Sequence, residues 1–365
     1  MEWRSTLFTW PTVVPILAVL ALAGTWGREP GPLLVTVVAV ILGAAVLAAV
    51  HHAEVVAHRV GEPYGSLVLA VAVTVIEVAL IVTLMISGGP STETLARDTV
   101  FAAVMITANG IVGLSLLVGA IKHRLVSFNA EGTGAALATV ASLATLSLVL
   151  PTFTAARPGP VFSPGQLAFA AIASLVLYGM FVLTQTVRHR DFFLPVTSEG
   201  AIIEEDGEHA EPPSNRTALL SLGLLVLALV AVVGLAKVES PAIEAGVAAA
   251  GFPQSFVGVV IALLVLLPET LAAVRAAQRN RLQISLNLAL GSAMASIGLT
   301  IPAIAVASIW LEGPLALGLG ATQMVLFGLT VLVGVLTVVP GRATRLQGGV
   351  HLVLLAAFLF LSVNP

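Results

Sequence analysis

Residues 65–87 read GSLVLAVAVTVIEVALIVTLMIS, with a single ionisable side chain, Glu77, at the thirteenth position. As a helix rising 1.5 Å per residue this run is ~35 Å long, enough to cross a hydrocarbon core of ~30 Å. The segment therefore reads as a transmembrane helix with a carboxylate near its middle.

Working outward, runs of the same character between charged, Pro or Gly punctuation give eleven expected spans. They lie near 11–27, 33–58, 65–87, 98–121, 131–151, 165–187, 217–237, 254–275, 283–309, 314–338 and 346–363. The whole chain agrees: 58% of its 365 residues are hydrophobic and 10% charged, against ~25% charged in a soluble domain. Its mean hydropathy is +1.05. The expectation is an all-α integral membrane protein. Sixteen Lys and Arg against nineteen Asp and Glu leave a net charge of -3, without the basic surplus that phosphate contacts need, so nucleic acid is excluded as a partner. With no cysteine, thiol catalysis and Cys-ligated metal are excluded together.

The first run also fits a cleavable signal peptide, through Arg4 and Ala21-Leu22-Ala23. Trp10 and Trp26 bracket it as interfacial anchors do, which favours a retained helix. Of the sixteen basic residues, twelve fall at the N-terminus or in loops after even-numbered spans. The positive-inside rule then places the N-terminus in the cytoplasm and the C-terminus outside. Residues 188–216 form the one long polar interruption, with Glu199, Glu204, Glu205, Asp206, Glu208 and Glu211 before Pro212-Pro213. This acidic cytoplasmic linker reads as a solvated connector, or as a low-affinity cation-sensing segment. The resulting division is an N-terminal helix in 1–32, five spans in 33–187, the linker, and five spans in 217–365.

Glu269, the sixteenth residue of the eighth span, is a second carboxylate at membrane depth. Each costs about 2.5–3.5 kcal/mol on the lenient insertion scale unless it faces protein or a wet cavity. The bland alternative is a buried, permanently protonated Glu. Aligning Glu77 with Glu269 pairs Val68 with Val260, Ala70 with Ala262 and Val73 with Val265. The two spans run in opposite directions, as counterparts do in inverted-repeat transporters whose substrate sites lie near the midplane.

Neutral oxygens follow each carboxylate. Thr107 and Asn109 lie in the fourth span, where Gly110 and Gly113 permit close backbone approach. Ser285, Ser292 and Ser296 share one face of the ninth. Such residues are equally common as glue between helices. Pro268 frees a carbonyl in the turn before Glu269. Ca²⁺ takes about six to eight oxygens, and two carboxylates balance its charge. Once the cation leaves, desolvation and like-charge repulsion favour the protonated carboxyls. Cation and protons thus compete for one site, and alternate exposure of that site to the two membrane faces gives antiport.

At the end of the second span His51, Glu54 and His58 share a helical face, with His52 alongside. They suit pH sensing or a proton path, or simply end a helix with interfacial polar residues. The spacing is not that of a zincin.

The run His52-Ala53-Glu54-Val55-Val56-Ala57-His58-Arg59-Val60-Gly61-Glu62-Pro63-Tyr64-Gly65-Ser66-Leu67, then Pro268-Glu269, then Asn287-Leu288 with Gly291-Ser292, closely resembles bacterial calcium/proton antiporters of the ChaA type, in the cation/calcium exchanger superfamily. The resemblance implies an inner-membrane exchanger of two inverted five-helix repeats plus an N-terminal helix, with Glu77 and Glu269 central. It also assigns Asn109 and Ser292 to the site; the neighbouring polar residues Thr74, Thr107, Ser285, Asn287 and Ser296 are further candidate ligands. Its substrates are Ca²⁺, in this branch also Na⁺ or K⁺, and H⁺, and it uses no resident cofactor. The superfamily places Asn three residues before each central Glu, where this chain has Thr74 and Leu266; that departure leaves room for monovalent cations. A passive channel on the same carboxylates is one rival. An intramembrane enzyme using Glu54 and the histidines is another, and it lacks a convincing nucleophile or a complete metal-ligand set. Whether copies of the chain form a homo-oligomer is left open.

Overall fold

The computed structural model describes residues 9–28, 31–61, 64–88, 92–197, 201, 212–310 and 313–365, with backbone alone for 64–67 and 87–88. Arg4, the Glu62-Pro63 pair and the six acidic residues of the linker lie outside the described residues.

Twelve helices follow in chain order: α1 (Trp10–Thr25), α2 (Pro32–Val60), α3 (Tyr64–Gly88), α4 (Leu95–His123), α5 (Ala130–Thr152), α6 (Pro164–Arg188), α7 (Asn215–Ala249), α8 (Phe256–Val265), α9 (Leu267–Gln278), α10 (Leu282–Ala307), α11 (Ala321–Val338) and α12 (Arg345–Val363). Among the described residues nine helices are long and apolar enough to cross a membrane, and the bent pair α8 and α9 makes a tenth if counted as one span. The expected count of eleven is not reached by this measure, because α1 has only 16 residues. Its outer face, like those of α2, α6, α7 and α11, is apolar: Leu20, Val40, Phe169, Leu219 and Leu336 are each more than 60% exposed. Such a surface suits hydrocarbon rather than water.

The chain forms two compact units. The first combines Met1–Thr92 with His209–Val257, and the second combines Glu93–Glu208 with Gly258–Pro365. In the first, α7 packs along α2, α3 and α1. Lipid offers no hydrophobic drive for helix pairing, so close contact between small residues must supply it. A Cβ at Gly234 of α7 would lie 2.4 Å from Leu22 Cδ2, which shows how tightly α1 is seated. The seventh span, expected to end at Lys237, continues to Ala249 through Pro241. A charge at residue 237 marked the end in the sequence, yet Glu239 and Ser240 beyond it are buried.

In the second unit α4 and α10 are the most enclosed spans. Glycines set the crossing of α4 and α12, where Gly348 sits so close that a Cβ there would meet Leu117 N at 2.6 Å. A short antiparallel ribbon, Val126–Ser127 against Arg342–Ala343, ties the chain after α4 to that after α11. Capping is local and regular: Asn129 accepts from the N–H groups of Glu131 and Gly132, and Ser163 and Thr344 form capping boxes with Gln166 and Gln347.

Candidate cation site

In the first unit α3 runs unbroken through Glu77. Thr74 and Glu77, one turn apart, are 7% and 3% exposed. The carboxylate therefore faces protein and not acyl chains, as a charge at that depth requires.

The histidine group does not stay together. His52 is buried and its Nε2 lies 2.9 Å from the Pro11 carbonyl, pinning the start of α1. His51 keeps an edge contact with His52 at 5.6 Å and lies tilted against Trp10 at 6.1 Å. Glu54 and His58 are exposed. Among the described residues no three His, Asp or Glu side chains gather as a metal-binding group.

In the second unit the stretch Ile106–Ile111 of α4 is a π turn, a wider ring that re-aims side chains and recurs at functional sites. Thr107 spends its hydroxyl hydrogen on its own helix, at 2.7 Å from Ala103 O and 3.0 Å from Val104 O. Asn109 is wholly buried and held from both sides. Its Nδ2 donates to Thr330 Oγ1 at 2.9 Å, and its Oδ1 lies 3.1 Å from His351 Nδ1. His351 Nε2 lies 3.1 Å from Thr337 Oγ1. One tautomer satisfies the chain: Nδ1–H donates to Asn109 and Nε2 accepts from Thr337. Beside it, a cavity of about 20 Å³ is lined by Thr133, Thr330, Thr337 and His351, room for about one water. Sequence reasoning missed His351, Thr330 and Thr337. An imidazole six residues into the last expected span was a signal in itself.

Leu266 separates α8 from α9, which meet at 54°. Pro268, lacking an N–H, accounts for the break. Glu269 is half-buried in the first turn of α9, where unpaired N–H groups and the helix dipole favour an anion by about 0.3–1 kcal/mol. The α9 helix packs on α4, its π turn included, and on α10.

The serine stripe divides. Ser285 Oγ donates to Ser115 Oγ at 2.5 Å, joining α10 to α4. Ser296 is buried and Ser292 half-buried. Asn287 donates to the Phe193 carbonyl at 2.7 Å and accepts from Gln283, so it fastens the segment after α6.

Comparison with known proteins gives one answer. Y4hA of Sinorhizobium fredii is 47% identical over 363 residues, 98% of this chain and 96% of its own. The sodium-potassium/proton antiporter ChaA of Escherichia coli K12 is 34% identical over 351 residues, 95% of this chain and 94% of its own. The solved structure of native YfkE superposes with a TM-score of 0.71 at 17% identity, covering 98% of this chain and 100% of that one. The sodium/calcium exchanger protein model matches residues 31–187 and 220–364, either side of the linker, and the chain belongs to that family of multi-span membrane antiporters.

Proposed function

We propose that the chain exchanges a metal cation for protons across the bacterial inner membrane by alternating access, with Glu77 and Glu269 as the groups for which the two ligands compete. The observation that carries this is Glu77: a carboxyl 3% exposed in the middle of an apolar span. It needs a positive ligand or a proton to be tolerable there. Protons and a cation can each fill that need, and neither can while the other is bound. The neutral oxygens proposed as further ligands are Thr74 in the first unit and Thr107, Asn109, Ser292 and Ser296 in the second.

Ca²⁺ is the first choice of cation, since two carboxylates balance a dication and the family is named for sodium and calcium. Na⁺ or K⁺ is the second reading. It is favoured by Thr74 and Leu266, which offer fewer strong ligands than Asn, and by the ChaA relative's sodium-potassium/proton exchange. Two matched stretches flanking residues 188–216 support a pair of repeated halves.

Purified protein in liposomes tests the proposal. A pH gradient alone is expected to drive Ca²⁺, Na⁺ or K⁺ uphill, and a protonophore to abolish that accumulation. Flux that runs only downhill would make the protein a channel. The charge bias of the loops puts the N-terminus in the cytoplasm, and a chain with no native cysteine makes this easy to check. Arg28→Cys should react with an impermeant thiol reagent applied from outside, and Arg188→Cys only from the cytoplasmic face.

A further inference from the structure

The first unit holds a second enclosed carboxylate that the mechanism above does not use. Glu239 sits in α7, and the residue is 2% exposed. It continues a buried stripe on that helix: Ala228, Ala231, Val232, Leu235, Ala236, then Glu239 and Ser240. This spacing of three and four residues keeps it on the face that packs against α2 and α3. Among the described residues nothing hydrogen-bonds its Oε1. Leaving such a group buried and unpaired costs several kcal/mol if it is ionised, so it is an unusual place for a residue that serves only packing.

The neighbouring residues of the same turn border open space. Lys237, Val238, Pro241 and Ala242 line a groove of about 510 Å³, closed on the other side by Trp26, Gly27, Arg28 and Val35. Lys237 reaches over the Trp26 ring at 5.2 Å. Two cationic side chains would repel a metal ion entering by this groove, and a metal needs about six or more oxygens where the side chains here supply the Glu239 carboxyl, Ser240 and the Glu244 carboxylate that Ser240 hydrogen-bonds. A proton needs one oxygen and a water to carry it. The charged and titratable groups of the packed elements are few. They are Arg216, Lys237 and Glu244 on α7, Arg28 in the turn after α1, and Tyr64 and Glu77 on α3. Those of α2, His51 to Arg59, begin sixteen residues beyond Val35, ~24 Å along the helix.

We propose that Glu239 is a proton-exchanging residue of the first unit, enclosed in α7 within one turn of the residues that line the groove. Its acid form releases H⁺ to groove water, leaving a carboxylate, and is restored by a proton arriving from within the unit. No metal and no redox partner takes part. This rests on the antiport reading above.

The test is Glu239→Gln in liposomes, with two fluxes measured on the same preparation. Exchange of labelled for unlabelled cation across the membrane requires no protons, and it is expected to stay within about two-fold of the parent. Proton-coupled accumulation is expected to fall about ten-fold or more, with its dependence on pH at the groove face flattened, and Glu239→Asp to restore much of it. Coupled accumulation and pH profile matching the parent in Glu239→Gln would overturn the inference. So would a parallel loss of both fluxes in Gln and Asp variants, which marks a packing residue. If the parent protein itself couples no proton to cation movement, the antiport reading fails instead, so the two failures are separable.

Discussion

α3 passes through Glu77 as continuous helix, whereas the chain bends by 54° immediately before the turn that carries Glu269. The same residue type is thus given two backbones. Inside a continuous helix every N–H is already bonded to a carbonyl four residues back, so the peptide chain offers Glu77 nothing; its partner must be a ligand, a proton or a side chain. In the first turn of α9, free N–H groups and the dipole favour the charged form of Glu269 without any ligand. The second unit carries further irregularity of this kind, in the π turn around Asn109. The first instead carries enclosed acids on regular helix, Glu77 and Glu239.

Unequal dependence on the ligand is the sharpest consequence. Both Glu77→Gln and Glu269→Gln should lose proton-coupled exchange, yet cation binding should suffer more from the first. A lost charge-assisted contact is worth about 1.5–3 kcal/mol, so Glu77→Gln is expected near the upper end, a weakening of roughly a hundred-fold, and Glu269→Gln near ten-fold. Titration calorimetry of the purified variants measures this. Equal losses would mean that the break before α9 contributes nothing to Glu269.

Pro268→Ala attacks the break itself. Restoring an N–H lets α8 and α9 straighten, since Pro in a helix interior costs about 3 kcal/mol. Exchange should slow by about ten-fold in a protein that remains folded. A variant that is folded and fully active would show that the bend is incidental.

A smaller effect is expected at His351, which orients the Asn109 amide. His351→Phe strands the Asn109 and Thr337 oxygens and should cost about 1–3 kcal/mol of stability, together with a several-fold rise in the half-saturating cation concentration. His351→Gln, which keeps a donor, should lose less of both. Thermal unfolding in detergent and flux titration check the pair. A cation affinity untouched by either change would disconnect Asn109 from the site.

Much of this architecture was legible in the chain because membrane spans obey one length and one polarity rule. The expected limits 33–58, 65–87 and 165–187 fall within two residues of α2, α3 and α6. Where the rule was read too literally it failed. Lys237 looked like the end of a span, but α7 is long enough to carry Glu239 past it and bury it. Glu77 stood out as a lone acid in an apolar run, and the structure encloses it at 3% exposure. His351 gave a similar signal, but its meaning depends on Asn109, 242 residues away. No local pattern encodes such a contact. Gly110 and Gly113 predicted a close approach correctly without naming the helix, which is α12.

The serine stripe shows the limit most directly, and it supplies the smallest expected effect. A helical spacing that puts Ser285, Ser292 and Ser296 on one face fits ligands and helix glue alike. Ser285 has resolved toward glue, with its hydroxyl 2.5 Å from Ser115 Oγ across α4 and α10. Interhelical hydrogen bonds of this sort average about 0.6 kcal/mol. Ser285→Ala and Ser115→Ala should therefore each lower stability by about that much, and the double variant by little more than either, because a single bond is lost in all three. Cation affinity should stay at the parent value throughout. If Ser285→Ala weakened cation binding while Ser115→Ala did not, the hydroxyl would be a ligand after all.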